Sequence, residues 1–404
     1  MEKLFEISER LIINVSFDFQ RALLYEIEWE NRLIEVKGAR GTGKTTLLLQ
    51  RAKKMQKEAL VLYTSLDLPY FYTNSLFDLA DQFQKKGGKL LFLDEVHKYP
   101  SFNQGQDWST EIKNIYDSFP DLKVIYSGSS LLHLYMGNGD LSRRKVSYEL
   151  HGLSYREFLK FQYSIDFKPV SLEDIFKKHT AIAAEITNQI KPLAYFQEYL
   201  QYGYYPFFKE SISNYPARLR NVINLIIESD IPSTVAIPSE NTEKLKKLLG
   251  AISTTVPYVP NLKQLSGNLN ISDSRTTLKY LTFLENGGLI KQLSTESIGN
   301  KILQKPDKIY LQNSNLLHVL SMNTPEIGTI RETFFYNQIT KDNNVTYPKY
   351  GDFLIANNYL IEVGGKSKKM KQIKDYDGEK FIVVDDIEIG FGEKIPLWLF
   401  GFLY

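Results

Sequence analysis

Residues 38–45 read GARGTGKT and match the pattern G-x-x-x-x-G-K-[S/T] at every fixed position. The apolar run 33–37 precedes this stretch as a predicted strand, and a helix is predicted over 44–55. Glycines let a backbone fold around phosphate groups with its N–H groups pointing inward, and the helix N-terminus adds a favourable dipole. The order of strand, loop and helix therefore predicts a phosphate-binding loop; the alternative is a simple Gly-rich turn.

The predicted loop assigns a role to several side chains. Lys44 is expected to reach the β and γ phosphates of a nucleotide, and the Thr45 hydroxyl to bind Mg²⁺. The predicted nucleotide-binding residues are Gly38, Arg40, Gly41, Thr42, Gly43, Lys44, Thr45 and Thr46.

A second motif is the run 89–95, KLLFLDE, an apolar strand that ends in two carboxylates. The carboxyl ends of parallel strands open onto the crevice where ligands bind. Asp94 is therefore predicted to hold Mg²⁺ through its water shell, and Glu95 to orient and polarise an attacking water. The alternative is a strand that ends at two solvent-exposed acids.

A third strand, within residues 122–130 (LKVIYSGSS), ends in small hydroxyl residues. Ser127 is predicted to sense the γ-phosphate between the loop and the acidic strand end. The alternative is a Ser-rich turn in which Ser129 or Ser130 caps the next helix.

Composition excludes several classes of protein. The 404 residues carry a net charge of +2 at pH 7, which excludes a histone-like coat and an acidic solvating chain. The absence of cysteine excludes disulfides, thiolate metal sites and cysteine nucleophiles, and five histidines leave little for a multi-His centre. The sequence shows no signal peptide or membrane span, so we expect a cytoplasmic protein with no membrane partner.

The first 150 residues alternate β-rich and helical patterns, which predicts an α/β fold with a parallel sheet. Strands are predicted over 33–37, 59–64, 89–93, 122–127 and 146–150, and helices over 44–55, 75–85 and 108–118. A helical stretch rich in Tyr and Phe follows to about residue 228, and the last hundred residues mix strands and helices.

Four segments resemble a prokaryotic AAA+-like ATPase family whose members carry a C-terminal domain related to restriction-type nucleases. They are GARGTGKTTLL (38–48), LFLDEVHKYP (91–100), YSGSSL (126–131) and ELHGLSYREFL (149–159). The resemblance implies ATP as the nucleotide. It also implies a P-loop core over 1–152, a helical lid over 153–235, a winged-helix segment over 236–300 and a degenerate nuclease-like domain over 301–404.

The resemblance also implies that an arginine shortly before the Glu-Leu phrase contacts the γ-phosphate, in the same chain or in a neighbouring subunit of a homo-oligomer. The matching residue is Arg144, and it would stabilise charge in the transition state. The alternative is that residues 143–145 form a solvated basic cluster.

Residues 261–290 have the order expected of a helix-turn-helix followed by a strand, and Ser274, Arg275 and Lys279 are predicted on an outward helix face. Such a segment binds double-stranded DNA in many proteins and packs against protein in others. The sequence does not decide between double-stranded DNA and protein as the partner of this segment.

Near the C-terminus the sequence resembles the Glu…Asp…Glu-x-Lys pattern of metal-dependent nucleases. Glu332, Asp352 and Glu362 fit, but the lysine position is occupied by Gly364, and Lys366 lies two residues later. We therefore expect a degenerate site without cleavage activity. The basic run 366–374 is either a contact for a phosphate backbone or a solvated helix face.

Taken together, the motifs predict a Mg²⁺-dependent ATPase that couples hydrolysis to movement of its C-terminal domains. Two alternatives are a nucleic-acid binding or cleaving protein with ATP as a switch, and a regulatory protein that grips a protein client and barely turns over.

Overall fold

The computed structural model describes residues 1–100, 107–131, 140–235, 237–238, 240–271, 273–295, 305–321 and 323–404. The chain forms two compact units. The first contains Met1–Gly152 and Glu228–Pro238, and the second contains Leu153–Ile227 and Ser239–Tyr404. The domain boundary predicted after residue 300 lies outside the described residues.

A five-stranded parallel sheet forms the centre of the first unit. Its strands are β1 (Leu33–Gly38), β2 (Val61–Ser65), β3 (Leu90–Asp94), β4 (Lys123–Ser129) and β5 (Val146–Glu149), in the order β2-β3-β4-β1-β5. Each strand begins and ends within two residues of its predicted bounds. Long apolar runs specify strands that are buried on both faces of a parallel sheet, and the predicted α/β class is confirmed.

Helices cover both faces of this sheet. They are α1 (Glu2–Asn14), α2 (Leu23–Glu26), α3 (Lys44–Met55), α4 (Leu76–Lys85) and α5 (Trp108–Ser118). Successive strand residues point to opposite faces, so Leu91 joins an apolar core with residues of α4 and α5, and Phe92 joins another with residues of α3.

The second unit begins with helices and has a separate sheet near its end. The first helices are α6 (Tyr155–Tyr163), α7 (Leu172–Thr187), α8 (Pro192–Tyr202) and α9 (Tyr215–Leu225). The chain then returns to the first unit through α10 (Ile231–Val235). The segment predicted as a helical lid thus contains α6 to α10.

The rest of the second unit starts with α11 (Glu240–Ser253), α12 (Leu262–Asn268), α13 (Ser274–Asn286) and the antiparallel pair β6 (Ile290–Leu293) and β7 (Lys308–Leu311). This order agrees with a helix-turn-helix followed by strands. After α14 (Ser314–Leu320) and α15 (Ile327–Ile339), a mixed sheet contains β8 (Val345–Thr346), β9 (Phe353–Ile355), β10 (Tyr359–Gly364), β11 (Glu379–Val384) and β12 (Lys394–Pro396).

None of the helices in the described ranges combines the length and the apolar character that crossing a lipid bilayer requires.

Candidate nucleotide-binding site

The loop between β1 and α3 has a backbone that requires glycine. Gly41 and Gly43 have φ angles of 85° and 98°, in the left-handed region that favours glycine. At Gly38, a Cβ atom would lie 2.4 Å from the carbonyl oxygen of Leu150. The hydroxyl of Thr42 donates to the carbonyl oxygen of Ala39 at 2.9 Å and closes the loop from inside.

Lys44 begins α3 and is buried. Its Nζ donates to the carbonyl oxygens of Gly38 at 2.9 Å and Ala39 at 3.1 Å. Burial lowers the pKa of Lys44, and the charges of Glu95 and Asp94 oppose this effect. A buried cation at the N-terminus of a helix is suited to binding phosphate.

Asp94 ends β3 and joins the two predicted motifs. Its Oδ2 accepts hydrogen bonds from the hydroxyls of Thr45 at 2.6 Å and Tyr63 at 2.8 Å, and its Oδ1 accepts one from Ser127. Burial beside Asp94 raises the pKa of Tyr63, so this phenol stays a hydrogen-bond donor.

The carboxylate of Asp94 and the hydroxyl of Thr45 are oxygen ligands of the kind that Mg²⁺ prefers, and they fit the predicted ion. In the described part of the chain, no group of three or more His, Asp or Glu side chains could hold a metal. Mg²⁺ would therefore need phosphate oxygens and water to complete its shell.

Glu95 follows β3 with a φ of 54°, which is rare for a residue other than glycine. Such a backbone persists only where its surroundings hold it, and it often occurs at functional sites. The Glu95 N–H donates to Oδ1 of Asp94 at 3.1 Å. Its side chain is one quarter exposed, with Oε2 4.0 Å from Nη2 of Arg40 and 3.3 Å from Nε2 of His97.

Ser127 lies on β4, which runs between β1 and β3. The sheet therefore places its hydroxyl between the phosphate loop and the acidic strand end, where the sequence predicts it. Contact with a γ-phosphate stays a prediction. The alternative, a Ser-rich turn in which Ser129 or Ser130 acts as a cap, has partial support. Ser129 Oγ accepts a hydrogen bond from the Leu131 N–H at 3.3 Å.

Arg144 lies at the opposite end of the sheet. It precedes β5, and Val146 at the start of β5 is aligned with Ile34 near the amino end of β1. The phosphate loop follows the other end of β1, its carboxyl end. Its guanidinium donates to the carboxylate of Asp117 at 3.0 Å and 3.1 Å. Arg144 is therefore not part of the site in its own chain, and a role across a subunit boundary stays a prediction.

Arg40 occupies a variable position of the loop motif and has a partner that the sequence analysis missed. Its Nε and Nη2 donate to the two carboxylate oxygens of Asp230 at 2.9 Å and 2.8 Å. Burial acts to raise the pKa of Asp230, but His97 and Arg40 outweigh burial and lower it. A charged residue in a phosphate loop indicates that it has an oppositely charged partner. No local sequence pattern indicates that the partner of Arg40 is Asp230, 190 positions later.

Arg21 is a second residue that the sequence analysis missed. Its Nη1 donates to the carbonyl oxygen of Thr42 at 2.8 Å, and its Nη2 donates to those of His151 at 2.7 Å and Gly152 at 3.0 Å. It thus joins the phosphate loop to the last residues of the first unit. Thr46, in contrast, is exposed in the first turn of α3, and its side chain makes no hydrogen bond to the other residues that the structure describes.

The three C-terminal carboxylates lie close enough to influence one another. Tyr310 donates to Glu332 at 2.7 Å, and the Val363 N–H donates to Asp352 at 2.8 Å. Burial raises the pKa of Glu332, Asp352 and Glu362, and repulsion from Asp352 adds to this for both glutamates.

Lys368 contacts this cluster, with its Nζ 2.5 Å from Oε1 of Glu362. Lys366, the residue predicted from the sequence, is exposed in the turn after β10. The prediction is therefore corrected to Lys368. The chain turns away from the strand direction after Gly364, so strand spacing does not apply there.

The geometry of the first unit defines a P-loop nucleotide-binding α/β fold. Residues 30–159 match a family model described as an AAA domain, and the match includes both motifs and all five strands of the first sheet. This part of the chain is therefore similar to AAA domains. Residues 193–326 match a model described as a domain of unknown function. The resemblance to nucleases stays a hypothesis.

Solved structures are also similar to this chain. A Walker-type ATPase of Pyrococcus abyssi is 13% identical, with a TM-score of 0.43 over 75% of this chain and 95% of that chain. The RuvB Holliday junction branch migration motor of Thermotoga maritima is 14% identical, with a TM-score of 0.33 over 70% and 93%. AMPPCP-bound DnaA from Aquifex aeolicus is 14% identical, with a TM-score of 0.26 over 70% and 87%.

No curated protein matches the chain. The three TM-scores are all below 0.5, so the fold rests on the strand order and the loop geometry described above.

Proposed function

We propose that this protein binds ATP with Mg²⁺ and hydrolyses it, and that hydrolysis drives a conformational change in the residues that follow the AAA-type domain. The observation that carries the proposal is the 2.6 Å hydrogen bond between Thr45 and Asp94. It brings the hydroxyl of the phosphate loop to the acidic end of β3, which is the arrangement that a Mg²⁺–nucleotide complex requires.

In this proposal each residue has a separate task. The N–H groups of the loop and the ammonium of Lys44 bind the phosphates, and bound Mg²⁺ neutralises charge that develops on them. Thr45 and Asp94 hold the ion, and Ser127 lies next to Asp94 where it can sense the γ-phosphate. Glu95 orients the attacking water.

The test is steady-state hydrolysis of ATP with Mg²⁺ by the wild type and by Glu95→Gln. We expect Glu95→Gln to bind ATP normally and to lose at least about a hundredfold in turnover, because general-base catalysis contributes about that factor or more. Glu149→Gln is the control, since Glu149 ends another strand of the same sheet. Unchanged turnover in Glu95→Gln would remove Glu95 from this role, and a wild type without turnover would contradict the proposal.

A second candidate function is binding of double-stranded DNA by α13. Ser274, Arg275 and Lys279 are all exposed on this helix, as predicted. The test adds duplex DNA to the hydrolysis assay with the wild type and with Arg275→Ala/Lys279→Ala. Stimulation that this variant loses would indicate a DNA-coupled ATPase. Turnover that does not respond to DNA would favour a protein client.

Nuclease activity is tested separately, through Mg²⁺-dependent nicking of plasmid DNA. Lys366→Ala and Lys368→Ala form a matched pair, because of these two lysines Lys368 is the one that contacts Glu362. Nicking that is lost in Asp352→Ala and Lys368→Ala but kept in Lys366→Ala would establish an active centre. No nicking by the wild type is the result we expect.

A further inference from the structure

Asp230 belongs to the first unit, although the chain leaves that unit after Gly152 and returns only at Glu228. Its side chain is 3% exposed. Both carboxylate oxygens accept hydrogen bonds from Arg40, and Nζ of Lys98 lies 3.3 Å from Oδ1. A paired acceptor of this kind fixes the plane of a guanidinium as well as its position.

Two of the groups that face Asp230 also face Glu95. Nη2 of Arg40 lies 2.8 Å from Asp230 and 4.0 Å from Oε2 of Glu95. Nε2 of His97 lies 3.9 Å from Asp230 and 3.3 Å from the same Glu95 oxygen. Asp230 is thus the shared neighbour of two groups that both approach Oε2 of Glu95.

Glu95 needs such support. Its backbone is in the left-handed region, and its side chain is partly open to solvent. A water-orienting carboxylate has to be held in one direction, because misplacement by about 1 Å can cost about a hundredfold in rate.

We propose that Asp230 is a positioning residue for hydrolysis, which holds Arg40 and His97 so that they direct the carboxylate of Glu95. The inference rests on the proposed ATPase function. It has a consequence for the whole chain: turnover depends on the segment Glu228–Pro238, and anything that pulls this segment away slows hydrolysis without removing the phosphate loop.

The experiment compares ATP affinity and kcat in the full-length chain. We expect Asp230→Asn to lower kcat by about tenfold, with ATP affinity unchanged within about twofold, because Asp230 acts on Glu95 and not on the phosphates. Asp230→Glu keeps the charge and should recover part of the loss. Asp81→Asn is the control, since it breaks the ion pair of another Asp side chain in the same unit, 2.6 Å from Nζ of Lys85 on α4.

A double-mutant cycle separates this role from a purely structural one. In the Glu95→Gln background, Asp230→Asn should cause no further loss of kcat, because the residue through which it acts is already neutral. Arg40→Gln, at a site that is 30% exposed, should reproduce the loss of kcat, and Arg40→Gln/Asp230→Asn should be no worse than either single variant. Arg40→Gln alone keeps the test valid if Asp230→Asn folds poorly.

Wild-type turnover in Asp230→Asn would overturn the inference and leave the ATPase proposal intact. An undiminished effect in the Glu95→Gln background would overturn it as well, because Asp230 would then act elsewhere. A wild type without turnover would contradict the proposed function itself, and this inference with it.

Discussion

The ammonium group of Lys44 illustrates how much depends on a single side chain in this site. It is buried, and it donates to two carbonyl oxygens of its own loop. Carbonyl oxygens carry only partial charges, so the oxygens of a phosphate are stronger acceptors for a buried cation. The structure therefore presents a cation ready for an anionic ligand.

We predict that Lys44→Ala lowers the affinity for Mg²⁺–ATP by about a hundredfold, because a hydrogen bond to a charged group contributes about 3 kcal/mol when buried. Equilibrium binding of a fluorescent ATP analogue measures this. Lys54→Ala is the control, since Lys54 is an exposed lysine on the same helix. Equal affinity of Lys44→Ala and wild type would contradict the assignment of the loop.

A second prediction at the residue scale concerns Glu332. Burial raises its pKa, and repulsion from Asp352 raises it further. A carboxyl group whose pKa is higher in the folded than in the unfolded state favours folding at low pH, and this contribution is lost as the pH rises through the folded-state pKa.

Glu332→Gln should therefore be more stable than the wild type at pH 8, and the difference should shrink as the pH falls towards the ordinary pKa of 4.5. Denaturant unfolding of both proteins across this range measures it, with exposed Glu388→Gln as the control. A loss of stability that does not change with pH would show that the hydrogen bond from Tyr310 outweighs the buried charge.

At the scale of elements, α4 shows how one polar side chain determines where a helix begins. Ser75 precedes the helix, and its Oγ accepts a hydrogen bond from the Asp78 N–H at 3.0 Å. Such a cap satisfies one of the N–H groups that the first turn leaves without a partner.

Ser75→Ala should lower the free energy of unfolding by about 1 kcal/mol, which is the usual effect of losing a serine cap. The midpoint of denaturant unfolding measures the change. Ser118→Ala is the control, because Ser118 is an exposed serine at the end of α5, and such a change alters stability by less than about 0.5 kcal/mol. Equal effects of the two substitutions would contradict the role of the cap.

At the scale of the whole molecule, a ligand that binds only the folded chain stabilises it by mass action. A non-hydrolysable ATP analogue with Mg²⁺ at about 100 times its Kd should add about 2.7 kcal/mol to the free energy of unfolding. Thermal unfolding monitored with and without the analogue measures this. At the same concentration Lys44→Ala, with a Kd about a hundredfold higher, should gain only about 0.4 kcal/mol. An equal gain in both proteins would place the binding site elsewhere.

Local patterns were sufficient for the fold of the first unit and for the centre of the site. The phosphate loop, the strand that ends at Asp94 and Glu95, and the strand that carries Ser127 are each continuous in sequence. The order of the sheet then brings their carboxyl ends together, because parallel strands end at the same edge. The closeness of Thr45 and Asp94, both predicted to hold Mg²⁺, follows from these two facts.

The sequence by itself thus determined the elements and the chemistry carried by adjacent residues, since strand, turn and helix preferences are properties of short segments. Only the tertiary structure decided which distant groups meet. Asp230 reaches Arg40 from 190 positions away, Lys368 rather than Lys366 reaches Glu362, and Arg144 binds Asp117 at the far end of the sheet. A charged side chain pairs with an oppositely charged group that the fold brings close to it. Local sequence preferences do not indicate which group that is.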